Sequence, residues 1–101
     1  MSVPRYRGHD AGRALASAIV ASGAEHGLTV TIADARCVPW ASATFTGARH
    51  ELRLAIEGDA AAIEEWKRIL PEYAFALGHH LVADLAVRDG EVIEALTVAD
   101  C

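Results

Sequence analysis

The chain has 101 residues, 52% of them apolar, which suits one domain with a real core and leaves no room for a second module. With 14 acidic against 9 basic residues and a net charge of -5, it has no electrostatic footprint for a phosphate backbone, which argues against nucleic-acid binding. The longest apolar stretch, Ala14 to Ala21, is too short to span a bilayer, and the basic segment Met1 to Gly8 lacks the apolar run of a signal or anchor, so a soluble, cytoplasmic protein is expected.

From Asp10, a candidate cap, Ala11, Leu15, Ala18, Ile19 and Ser22 recur at helical spacing. Gly23 and Gly27 supply the stop, and His26 sits where a partly positive side chain complements the helix dipole. Leu28 to Val38 then alternates as a half-buried strand, with Leu28, Val30 and Ile32 on one face and Thr29, Thr31 and Ala33 on the other. Pro39 and Trp40 are expected to form a turn, which would leave a bare indole at the surface asking for a partner.

A second strand is predicted from about Ser42 to Glu57, with Leu52, Leu54 and Ile56 opposed to Glu51, Arg53 and Glu57. The small residues around Thr46 to Arg49 suggest a bulge within it. Gly58 and Asp59 open a second helix whose stripe of Ile63, Trp66 and Leu70 faces the core, while Glu64, Glu65, Lys67 and Arg68 face solvent. Trp66 with Tyr73 could line a pocket, but its place in that stripe marks it as core. Pro71 ends the helix, and Glu72 to Gly78 reads as irregular.

From His79 or His80 to Arg88 the alternation returns, with Leu81, Ala83, Leu85 and Val87 expected inward and His80, Val82, Asp84, Ala86 and Arg88 outward. Asp89-Gly90 signals a two-residue hairpin, so Glu91 to Val98 comes back antiparallel. That strand is apolar on both sides, Val92, Leu96 and Val98 against Ile93 and Ala95, as a central or covered strand would be.

The order αββαββ defines an α+β fold: a two-layer sandwich with a four-stranded antiparallel sheet and two helices on one face. Its topology is analogous to a circularly rearranged ferredoxin-like split βαβ unit. Residues 1–101 are read as one domain, with 1–8 a flexible N-terminal segment. The bias toward Ala, Gly, Arg and Asp suits a GC-rich bacterial genome and carries no mechanism.

The uncovered face is expected to hold Thr29, Thr31, Glu51, Arg53, Ala55 and Asp84, together with His80, Val82, Ala86, Ile93, Ala95 and Thr97. Apolar positions on an open face commonly mark a second subunit, so a homodimer through this face is expected. Its binding surface would include Trp40, Thr31, Arg53, His80 and Asp84.

The residues that could carry chemistry are His50, His80, Cys37 and Asp84. His79 and His80 alternate across a strand, and His80 lies roughly 13 Å along the strand from Asp84, too far for joint coordination. Any metal site must recruit His50 or Cys37 across strands, and no metal or cofactor is expected. Cys37 as a nucleophile with His50 as its activator is conceivable, yet no base or oxyanion signature accompanies them. A small buried cysteine and a partly buried His50 bonded to a backbone carbonyl are the plainer reading. Cys37 and Cys101 lack CxxC spacing and are read as reduced thiols. No phosphate-binding glycine loop or GxSxG elbow is present. The expectation is a non-catalytic interaction module that acts as a homodimer and binds a protein or small-molecule partner; the alternative is a small enzyme or metal-binding protein with a His/Cys/Asp site at the sheet edge.

Overall fold

The computed structural model describes residues 7–72, 76–77, 80–88 and 90–99, with side chains for 12–72, 82–88 and 90–98. Helix α1 (Arg7–Glu25) is followed by β1 (Thr29–Ala41), β2 (Thr46–Glu57) and α2 (Ala60–Ile69). A 3-10 turn (Leu70–Glu72), β3 (Ala76–Leu77), β4 (His80–Arg88) and β5 (Val92–Ala99) complete the order. All pairings are antiparallel, in the order β1-β2-β5-β4-β3. Four long strands carry the sheet, and β3 adds a two-residue edge within the link that reads as irregular in the sequence. The last strand, β5, lies between β2 and β4, the two strands that α2 connects.

Helix α1 starts three residues earlier than its sequence pattern suggests, so Arg7 and Gly8 are helical and Asp10 lies inside the first turns instead of capping them. Gly27, with φ 76°, takes the left-handed conformation after the helix end, while His26 Nδ1 lies 3.0 Å from the Ser22 carbonyl. Gly23, expected to help stop the helix, stays within it and has another use. A Cβ there would run into Val30, so glycine lets α1 settle closely on β1. Asp59 caps α2 as expected, accepting a hydrogen bond from the Ala62 amide at 3.1 Å.

Both helices cover the same sheet face. Leu15 and Ile19 of α1, Trp66 of α2 and Leu70 close over Val30, Leu52, Leu54, Leu85, Ile93 and Ala95, giving two layers around one core. Trp66 is fully buried, and its indole N–H donates to Ser22 Oγ at 2.9 Å, joining the helices. Tyr73 lies outside the described residues.

Several strand details differ from the sequence pattern. Pro39 and Trp40 do not form a turn: β1 runs through them to Ala41, opposite Ala48 and Gly47 of β2. Proline is tolerated because β1 is an edge strand, where a missing donor costs least. The turn spans residues 42–45 instead, held by Ser42 Oγ, which accepts from the Phe45 amide at 3.1 Å and the Thr44 amide at 3.3 Å. Pairing is continuous across Thr46 to Arg49, where a bulge was expected. The register shifts instead at Ala33 in β1 and Ala83 in β4. The β4–β5 loop holds three residues, since Arg88 pairs with Val92; Gly90 has φ 80°, and Asp89 lies outside the described residues.

The bulge at Ala83 resets the alternation of β4. Val82 packs against the core with Leu85, whereas Asp84 and Ala86 share the other face. In β5, Ile93, Ala95 and Thr97 turn toward the helices, and Val92, Leu96 and Val98 line the open face, the reverse of the expected placement. A strand apolar on both sides gives no phase by itself; pairing of Ile93 with buried Leu52 sets it.

Candidate functional site

The sheet presents two places where chemistry-bearing residues gather. On the helix side, the register sets Cys37 of β1 directly opposite His50 of β2, with Cβ atoms of such pairs about 5 Å apart. The same register and the bulge at Ala33 put both residues under α1, where a Cβ at Gly12 would stand 3.6 Å from His50 Nδ1. A recess of about 210 Å³ opens beside them, lined by Gly12, Ala16, Ala35 and Leu52.

His50 is only 3% exposed. Its Nε2 lies 2.8 Å from the Thr97 hydroxyl, which in turn lies 3.4 Å from the Ala48 carbonyl. The 2.8 Å hydrogen bond between His50 Nε2 and the Thr97 hydroxyl fixes the ring. Burial raises the pKa of the half-buried Cys37 thiol and disfavours thiolate, the opposite of what a nucleophilic cysteine requires. The pair anticipated from sequence is therefore assembled, but with the electrostatics of packing, and His50 is held by a threonine hydroxyl where a backbone carbonyl was expected.

The other candidates do not join it. Asp84 is exposed on the opposite face of the sheet, on β4, three strands from Cys37. His80 begins β4 opposite Ala99, also three strands from Cys37, a separation of about 14 Å at ordinary strand spacing. His79 lies outside the described residues. Among the described residues no group of three His, Cys, Asp or Glu side chains could hold a metal ion.

The second place is the open face. Its residues form rows across the strands. In the first, Trp40, Gly47 and Val98 are aligned; in the next, Val38, Arg49, Leu96 and Asp84. Arg36, Glu51, Glu94 and Ala86 follow, then Asp34, Arg53, Val92 and Arg88. Thr31 continues the face, exposed opposite Ala55. The middle rows form a shallow concavity of about 430 Å³.

Of the four arginines and four carboxylates in these rows, only Arg88 and Glu94 form an ion pair, at 2.9 Å. Among the described residues Arg36, Arg49, Arg53, Asp34, Glu51 and Asp84 have no ion-pair partner within 4.0 Å. Glu51 and Glu94 stand directly opposite, an unfavourable pairing within one chain. Apolar groups lie at one end: Val38 is 60% exposed, Phe45 in the turn is 51% exposed, and Leu96 and Val98 are half-buried. Trp40 lies over Gly47, where a Cβ would come within 2.8 Å of the indole.

Of the surface residues anticipated from sequence, Thr31, Arg53, Asp84 and Trp40 are on this face, Trp40 in the strand and half-buried instead of bare in a turn. The side chain of His80 lies outside the described residues. Val82, Ile93, Ala95 and Thr97, expected here, belong to the helix side. Arg36, Val38, Arg49, Glu94 and Leu96 were not singled out in the sequence; their signal is the alternation of β1 resumed after the bulge, and of β5 once its phase is set.

No protein-family model, curated protein or solved structure matches this chain. No helix among the described residues is long and apolar enough to cross a membrane.

Proposed function

We propose that the chain is a small cytoplasmic, non-catalytic interaction module that acts as a homodimer through its open sheet face. The observation that carries this reading is the balance of that face: three arginines and three carboxylates stand in adjacent rows without closing ion pairs among the described residues. An isologous contact sets residue i against j and j against i, so a surface carrying both signs in equal number can neutralise itself in a second copy. The exposed Val38 and half-buried Leu96 and Val98 add apolar area to the same surface.

The alternative, a small enzyme or metal-binding protein, has less support. Cys37 and His50 are neighbours, but the thiol is shifted toward its neutral form and Asp84 lies on the other face. Edge pairing through β1 is also disfavoured, because a bulge at Ala33, charges at Asp34 and Arg36, and Pro39 blunt that edge.

Amide chemical shifts followed through a dilution series test the proposal. Changes concentrated in the middle rows of β2 and β5 are the expected result. Changes confined to α1, α2 or the outer edge of β1 would overturn it.

A further inference from the structure

Resting on the dimer reading, the pattern of the open face goes on to select one way for two copies to meet. Two sheets stacked face to face about a twofold axis in the plane between them have two simple choices. An axis along the strands sets β2 of one copy over β5 of the other, row on row. That brings Glu51 against Glu94 of the second copy, adding a like-charge contact to the one already present within each chain. An axis across the strands reverses the rows and keeps each strand over its own counterpart.

We infer that the two copies meet about an axis running across the strands midway between Arg49 and Glu51, so that each Arg49 pairs with Glu51 of the second copy. Two features of the face agree with this placement. Arg49 and Glu51 are two residues apart on one face of β2, both exposed and without an ion pair among the described residues, and the axis duplicates their contact. The same operation brings Arg53 over Gly47 of the second copy. Gly47 is roofed by its own Trp40 indole, so the guanidinium meets an aromatic face, a favourable cation–π arrangement. The same operation sets Leu96 over Glu94 and Val98 over Val92, which is only 7% exposed, so the charge pairs and not apolar area fix the axis. The helices remain outside, and the assembly becomes four layers, helix, sheet, sheet, helix, with the sheets about 10 Å apart.

The test uses the full chain in three variants read by sedimentation velocity: Arg49→Glu, Glu51→Arg, and the two substitutions combined. Each single reversal places like charges in contact twice across the axis and is expected to weaken the dimer at least tenfold. The combined variant keeps net charge and restores opposite signs across the axis, so its dimer is expected to return to within about threefold of the parent. If the singles dissociate and the combined variant does not recover, or if the singles have no effect on a parent that is dimeric, the across-strand axis is wrong while the dimer reading stands. A parent monomeric at every concentration overturns both. Far-ultraviolet circular dichroism of each variant separates lost association from lost folding, and Arg49→Lys, which keeps the charge, is expected to remain dimeric where Arg49→Glu is not.

Discussion

The Trp66 indole N–H donates a 2.9 Å hydrogen bond to the Ser22 hydroxyl in the core, a polar tie between the two helices. Ser22→Ala leaves the indole donor without its acceptor in a buried site, which costs about 1–3 kcal/mol. Urea unfolding is expected to show a lower midpoint with an unchanged slope. An unchanged midpoint would mean that the bond contributes nothing net.

His50 and Thr97 give a second buried pair. Thr97→Val keeps the shape but removes the hydrogen-bond partner of His50 Nε2, at a cost of about 1–3 kcal/mol by the same reasoning. Because the pair lies on the helix side, self-association is expected to be unaffected at concentrations where the variant is folded. Denaturation and sedimentation together check this; loss of association from a folded Thr97→Val variant would place His50 in the interaction surface after all.

Gly47 is the position where β2, Thr97 and the Trp40 ring come closest. A Cβ there collides with the Thr97 carbonyl and stands 2.8–2.9 Å from the indole. Gly47→Ala is expected to cost about 1–3 kcal/mol through overpacking and to displace Trp40. Emission in a Trp66→Phe background, where Trp40 reports alone, is expected to shift to the red. An unmoved spectrum with unchanged stability would contradict the close packing.

Burial holds the Cys37 thiol above its ordinary value of 9.0. A group whose folded pKa is raised supports the folded state fully below its unfolded pKa, and that support is lost as pH rises past it. Alkylation of Cys37, distinguished from Cys101 by peptide mapping, is expected to be slower than for a model thiol at neutral pH and to reach its plateau at a higher pH than the model thiol does. Rapid modification at neutral pH would reopen the nucleophile reading.

Much of the fold is legible in the residues, because helical and strand periods alternate cleanly and Asp59, Pro71 and Gly27 mark ends by local chemistry alone. The faces are less legible. A single inserted residue, Ala33 or Ala83, reverses the alternation that follows it, and an alanine announces no such shift. For that reason simple alternation does not place Arg36 and Val38 on the open face and puts Val82 on the wrong one. Pro39 misled in a different way: proline suggests a turn, but an edge strand accommodates it, and edge position is a tertiary fact. The neighbourhood of Cys37 and His50 was anticipated as a hairpin contact, whereas Thr97 as the partner of His50 depends on β5 lying beside β2.

The most direct measurement is sedimentation equilibrium of the unmodified protein from low micromolar to near-millimolar concentration, at low and high salt. The expected result is a mass of twice the 10.7 kDa chain at low salt, moving toward the single-chain mass as salt screens the open face. A mass of one chain at every concentration and salt would contradict the claim that this face is an interface between copies.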